Sequence, residues 1–316
     1  MKERLQYFPV TAFAIVMGLS GLTLVFNKFY HMQWLPKFLY DGMLFLTFGL
    51  FLFLLFMYGL KAMRHFDEVK KDFNHRIRVN FFSAISISFL LMAIAFLGYW
   101  PFLSLVFWWV GVIAHTILML HTISFWIQHN FEIKFMNPAW FIPVVGNILV
   151  PVAGVEFMPD GFSFIYFAIG FFFWIILFAI FMNRVIFHDQ MAQKFMPTLF
   201  ILIAPPAVGF LAYLRITESF DSFAIFMLFI AYFFVALIIF LAKSFRNLKF
   251  FISWWAFTFP LTAITVASVV AFQLTGQNLY KYLAFLLLVI AFSTIVFVSI
   301  KTIGRVLKGE ICVNED

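Results

Sequence analysis

The stretch Trp254-Trp255-Ala256-Phe257-Thr258-Phe259-Pro260-Leu261-Thr262, continuing through Ala263, Thr265 and Ser268, decides how the rest of the chain is read. It lies inside an uncharged run from Phe250 to Leu274, long enough to cross a bilayer as a helix. Pro260 stands near the middle of that run. It has no N–H to give the carbonyl of Ala256, and its ring crowds that turn, so a kink is expected there. At the helical period Thr258, Thr262 and Thr265 form a hydroxyl stripe, and Phe259, Ala263 and Val266 lie along the neighbouring edge. A bulky ring beside a kink, flanked by small and hydroxyl residues, is suited to plug a narrow path. The competing reading is one more packed ring among the 51 Phe of the chain.

Composition widens the conclusion. Apolar residues make up 65% of the chain, charged residues 11%, and mean hydropathy is +1.02. A soluble domain is about half apolar and about a quarter charged, so this is an integral membrane protein. Its net charge of +7 does not imply nucleic acid, because basic residues of membrane proteins gather in cytoplasmic loops. A single cysteine, Cys312, excludes an internal disulfide and any multi-thiolate metal site. The apolar run from Tyr7 to Phe26 follows Lys2 and Arg4. It is too long for a signal-peptide core and lacks a small-x-small cleavage site, so it is read as a first span.

Ten apolar segments follow one another, at approximately 8–26, 38–60, 80–100, 103–127, 140–157, 163–183, 196–214, 223–242, 251–273 and 279–300. Each is near the roughly 20 residues that a membrane helix needs. The fifth is the shortest and opens at Asn137-Pro138, a cap followed by proline. With this count, 17 of the 21 Lys and Arg fall on the side of the termini, and only Lys28, Lys37, Arg215 and Lys281 fall opposite. The bias predicts a multi-pass protein of a bacterial-type inner (plasma) membrane with both termini cytoplasmic.

Proline then sorts the segments. Pro9, Pro143, Pro151, Pro197, Pro205, Pro206 and Pro260 all lie in odd-numbered segments, and the even ones contain none. A membrane helix tolerates proline where neighbouring helices or water satisfy the freed carbonyls. Odd helices are therefore expected to be inner and kinked, with kinks at Pro143, Pro205 and Pro260, and even helices outer and straighter. Segment starts at 80, 140, 196 and 251 are 60, 56 and 55 residues apart, as five tandem hairpins would require. All five hairpins share one orientation, which suits a ring around an axis rather than an inverted repeat. The stretches 8–26, 81–100, 140–155, 196–214 and 251–272 hold no Asp, Glu, Lys, Arg or His. A path between them would be walled by apolar side chains, hydroxyls such as Thr258 and Thr262, and Asn147.

These features resemble the tellurite-resistance TehA proteins and the slow-type anion channels of plant guard cells, one family also called the tellurite-resistance/dicarboxylate transporter family. The resemblance covers the whole chain. It is carried by Phe13-x-Ile15-x-x-Gly18, Asn80 to Ser88, Ile142-Pro143-Val144-Val145-Gly146, Ala204-Pro205 with Ala212-Tyr213-Leu214, and Trp254 to Pro260. It implies an all-α integral membrane protein, one domain over 1–316, with ten transmembrane helices as five tandem helical hairpins around a central pore in each subunit of a homotrimer. It also implies that Phe259 is the pore gate and that Phe13, Met17, Ser86, Gly146, Val208, Thr262 and Ala263 are pore-lining candidates. Ser86 aligns where bacterial TehA has proline, so segment three lacks the residue that would kink it.

The expected function is an anion channel that passes small inorganic anions such as chloride and nitrate through an uncharged pore. A fixed cation inside would hold an anion too tightly, since conduction needs binding weak enough to release. Such a wall favours large, weakly hydrated anions. The alternative is a secondary transporter of C4-dicarboxylates or tellurite-type oxyanions. A proton-coupled carrier usually displays an intramembrane carboxylate or His in its path, and the odd segments lack one. An enzyme is not expected, because no nucleophile–base pair and no phosphate loop is present. No cofactor and no metal are expected: His115 and His121 are six residues apart, not the four of a helical ligand pair. The expected partners are small inorganic anions, membrane lipid and, by the resemblance, two further copies of the chain in a homotrimer; no nucleic acid is expected. The 61–78 loop, with six basic and three acidic residues, reads as a solvated cytoplasmic loop. Glu156, Asp160, Glu218 and Asp221 lie on the opposite side, where they read as solubilising charges, the alternative being that they tune ion access.

Overall fold

A computed structural model describes residues 2–246 and 248–313, and among these the regular structure is helical. Among the described residues nine helical stretches are long and apolar enough to cross a membrane. They run Val10–His31, Lys37–Arg64, Arg78–Phe96, Pro101–Gln128, Asp160–Phe187, Gln193–Thr217, Ser222–Phe240, Ile252–Thr275 and Asn278–Leu307. The fifth expected segment is present only as a shorter apolar stretch, Pro138–Gly154. It is broken into alternating 3-10 and α pieces around Pro143 and Pro151. Each proline removes an N–H donor, so no single α-helix can run through them. We number the segments one to ten in chain order, with Pro138–Gly154 as the fifth.

Burial divides the nine long stretches into two kinds. In segments one, three, seven and nine, 61% to 83% of the most apolar window is buried; in the even segments the share is 28% to 39%. The even helices carry the exposed large side chains, among them Phe56, Ile117, Phe172, Phe233 and Leu286. Such a surface is disfavoured in water and at home against lipid tails. The protein is therefore a multi-pass membrane protein.

The buried segments share a way of starting. Each begins as a 3-10 turn and changes to α: Val10–Ala12 before Phe13–His31, Arg78–Phe81 before Ser83–Phe96, Pro138–Phe141 before Ile142–Val145, Gln193–Ile203 before Ala204–Thr217, and Ile252–Phe257 before Thr258–Thr275. The prolines stand at these changes. Pro143 and Pro205 are the second residues of their α pieces, and Pro260 is the third. In the first turn an N–H has no intrahelical partner to lose, so proline is tolerated there. The interruption expected at Pro260 thus takes the form of a change of helix type at Phe257–Thr258. Segment three makes the same change without a proline.

Segments one and nine approach closely. A β-carbon on Gly18 would fall 2.0 Å from Thr258 Oγ1, and one on Gly21 would fall 2.0 Å from Thr262 Oγ1. Small residues at such a crossing let two helix backbones meet, the main source of helix–helix attraction where lipid is as apolar as the side chains. The hydroxyls are not left unpartnered: Thr258 Oγ1 donates to the Trp255 carbonyl and Thr262 Oγ1 to the Phe259 carbonyl.

The 61–78 loop is not simply solvated. Lys61, only 2% exposed, donates to Asp72 at 2.7 Å and to the Phe8 carbonyl at 2.9 Å, and Arg78 reaches the other Asp72 oxygen at 3.0 Å. Helix Phe66–Phe73 folds back so that this buried ion pair ties it to the entrance of segment one.

Candidate functional site

Two cavities lie along the buried segments, one of about 80 Å³ and one of about 870 Å³. The smaller sits toward the segment starts, between Met17, Phe81, Ile142, Gly146, Ala204 and Ala256. The larger opens among the segment ends, past Leu24, Leu91, Val152, Leu211 and Val266. Their walls come from segments one, three, five, seven and nine, with Leu97, Gly98, Pro101, Glu156, Phe157 and Glu218 added to the larger from just beyond the segment ends. Phe259, Leu149 and Val208 are common to both walls. Three side chains from three different segments thus stand where the two spaces adjoin.

The position of Phe259 follows from its helix. It is the second residue of Thr258–Thr275, and Ala263 and Val266, four and seven residues on, line the larger cavity with it. This is the edge beside the threonine stripe, not the stripe itself. Of the stripe only Thr262 reaches a wall; Thr258 turns to Gly18, and Thr265 is buried with its hydroxyl on the Leu261 carbonyl.

The other expected residues divide. Met17, Gly146 and Pro205 line the smaller cavity, Ala263 the larger, and Val208 both; Pro260 lies in the smaller wall and Pro143 in neither. Phe13 is also in neither. It is fully buried, edge-on to Tyr58 of segment two with ring centroids 5.9 Å apart. One residue on, Ala14 occupies the wall instead, since neighbouring positions differ by about 100° around a helix. Ser86 likewise turns outward, 2.9 Å from His115 Nδ1 of segment four, and its neighbour Ile87 lines the cavity. Asn147 donates to the Val144 carbonyl and to Met119 of segment four, an interhelical contact and no part of either wall. His121 stacks on Phe73 at 4.1 Å, apart from His115. Among the described residues no group of three His, Cys, Asp or Glu is placed to hold a metal ion. Leu149 went unnoticed in the sequence. Its signal is spacing alone: it follows Val145 and Gly146 by one helical turn on the same face.

Charge is distributed unevenly. The smaller cavity and the three shared residues include no titratable side chain, whereas the larger is lined in part by Lys28, His31, Glu156, Arg215 and Glu218. An uncharged wall from end to end is therefore not what the fold provides. The sequence boundaries at 26 and 214 fell short, because the helices continue to His31 and Thr217 and carry Lys28 and Arg215 on their last turns into the cavity. Arg215 is pinned there by hydrogen bonds to Glu156 at 2.6 Å and to the Val152 carbonyl at 3.1 Å. Asp221 takes no part. It accepts from the Tyr213 hydroxyl and caps Ser222–Phe240 through the Ala224 and Phe223 amides, contacts that hold its carboxyl below the usual range.

A family model described as a voltage-dependent anion channel matches residues 7–303. The S-type anion channel SLAH3 of Arabidopsis thaliana is 28% identical over 278 residues, which cover 83% of this chain and 42% of that protein. An uncharacterized transporter of Methanocaldococcus jannaschii is 27% identical over 339 residues, 98% of each. A tellurite resistance protein TehA homolog of Haemophilus influenzae is 22% identical over 213 residues, 67% of this chain and 65% of that one. The chain spans less than half of the plant channel and nearly all of the archaeal relative.

Proposed function

The chain belongs to the voltage-dependent anion channel family, and on that premise we propose that it is an anion channel whose path runs through the two cavities and is closed at Phe259. The observation that carries this reading is the trio shared by both walls. Phe259, Leu149 and Val208 are the residues a passing ion would have to clear, and Phe259 is the bulkiest. In this reading residues 1–316 are one transmembrane domain of ten helices in five tandem hairpins. Odd segments, bent where proline interrupts them, surround the pore, and both termini are cytoplasmic. The alternation of burial along the chain and the 17 of 21 basic residues on one side support it. A homotrimer is part of the proposal and rests on the resemblance alone.

Small monovalent anions, chloride and nitrate, are the proposed cargo. The smaller cavity offers apolar side chains and no fixed charge, so an anion crossing it sheds water for little return. Weakly hydrated anions lose least, and nitrate is expected to pass more readily than chloride. With the ring in place so narrow an apolar space excludes water as well, which closes the path without a charged plug.

The second reading, a proton-coupled carrier of dicarboxylates or oxyanions, needs a group that takes up and releases a proton where the substrate crosses. The residues shared by the two cavities supply none. Reconstitution in liposomes tests the choice: flux is expected to follow the anion's own gradient and to ignore an imposed proton gradient at zero voltage. Uphill accumulation driven by protons would replace the channel with the carrier.

A further inference from the structure

We propose that the larger cavity contains an anion-capture site formed by Lys28 and completed by Arg215, at the end of the bundle opposite the termini. The inference rests on the channel reading and names the site that would feed its path. Lys28 is half-buried in the cavity wall, and among the described residues no carboxylate lies within ion-pair distance of it. A cation in the last turn of a helix is stabilised by the helix dipole, which explains its tolerance there but not its direction into a cavity. A partly desolvated ammonium without a counter-charge is costly unless water or an anion reaches it. The cavity gives both a way in.

Arg215 lines the same cavity. Its guanidinium donates to Glu156 and to the Val152 carbonyl, which fixes its orientation and leaves other N–H donors of the fork unspent. With Glu156 paired to Arg215, Lys28 is the cation of the wall with no carboxylate at ion-pair distance among the described residues. Glu218, the remaining carboxylate of the wall, is exposed at the rim. One unpaired ammonium and a free guanidinium edge select a monovalent anion, and a planar oxyanion such as nitrate best matches the fork. A dicarboxylate would leave one charge uncompensated. The site lies before the uncharged section, so it concentrates anions without holding them where they must move.

Two measurements test the site without relying on conduction. In the purified wild-type protein, acylation of Lys28 by a water-soluble N-hydroxysuccinimide ester, read by mass spectrometry, is expected to be slowed by sodium nitrate. Succinate at matched ionic strength should slow it less. Thermal unfolding in detergent should shift upward with nitrate in wild type and in Lys28→Arg, and lose that shift in Lys28→Gln. Equal acylation with and without nitrate, or an undiminished shift in Lys28→Gln, would overturn the site. Stronger protection by succinate would overturn the monovalent assignment. A third arm uses flux: in a Phe259→Ala background, Lys28→Gln should raise the half-saturating nitrate concentration on the Lys28 side by roughly tenfold. The difference should fade as ionic strength approaches about 1 M. No flux from Phe259→Ala while nitrate still protects Lys28 would retire the channel and leave the site. Flux that ignores Lys28, together with no protection, would retire the site and leave the channel.

Discussion

Gly21 and Thr262 face each other so closely that a β-carbon on the glycine would fall 2.0 Å from the threonine hydroxyl and 3.4 Å from the Phe259 ring. The glycine of segment one thereby sets how near segment nine can come, and with it where Phe259 stands. Because Thr262 donates to the Phe259 carbonyl, the same contact bears on the backbone that carries the ring.

The first prediction follows from that contact. Gly21→Ala is expected to destabilise the protein by about 1–3 kcal/mol through overpacking. Thr262→Ala in the same chain should recover part of the loss, since the nearest remaining threonine atom would be its β-carbon at 2.9 Å. Thermal unfolding of both single variants and the double variant gives the coupling. Strictly additive effects would mean that the two helices adjust without touching.

Phe259→Ala is expected to raise anion conductance strongly while the protein still folds. Phe259 is half-buried and fronts both cavities, and its neighbours Ala256 and Ala263 are too small to refill the space. Phe257 is the control. It packs against Phe200 with ring centroids 4.6 Å apart and reaches neither wall. Phe257→Ala should cost about 3–5 kcal/mol of stability, the range for emptying a Phe from a core, and open nothing. Wild-type conductance from well-expressed Phe259→Ala, or an equal rise from Phe257→Ala, would end the gate.

The buried pair at the entrance of segment one is a stability element. Asp72→Asn leaves Lys61 without its carboxylate in a site where it is 2% exposed, and the expected loss is about 3–5 kcal/mol. Lys61→Met combined with Asp72→Asn should cost less than the sum of the two, because the most buried charge leaves together with its carboxylate. Denaturation in detergent reads the difference, and a loss below about 1 kcal/mol for Asp72→Asn, the level of an exposed pair, would contradict a buried one.

Topology can be read from the single thiol. If the C-terminus is cytoplasmic, Cys312 should resist a membrane-impermeant maleimide in intact cells and label after permeabilisation. Burial pushes this thiol above its ordinary pKa, with Arg4 and Lys61 pulling the other way. The thiolate is the reactive form, so labelling of permeabilised cells should be slow near pH ~7 and accelerate as pH rises beyond ~9. Rapid labelling of intact cells would reverse the orientation.

Hydropathy, charge bias and proline placement determined by themselves that this is a membrane protein and which segments would be the more buried. Each of these properties belongs to a segment as a whole, so it survives errors of a few residues in the boundaries. The edge formed by Phe259, Ala263 and Val266 was legible too, because it lies within one uninterrupted α-helix. What only the tertiary structure decided is direction. Phe13 and Ser86 lie in the α-helical parts of segments one and three, where only packing decides which side of the helix meets the path. Both were placed on the path by resemblance, and the packing of segment one on two and of three on four turns them outward, Phe13 to Tyr58 and Ser86 to His115, so that Ala14 and Ile87 hold the wall instead. Lys28 and Arg215 escaped for another reason. Hydropathy ends a segment at the first charge, whereas backbone hydrogen bonding carries the helix one more turn and brings both cations into the cavity.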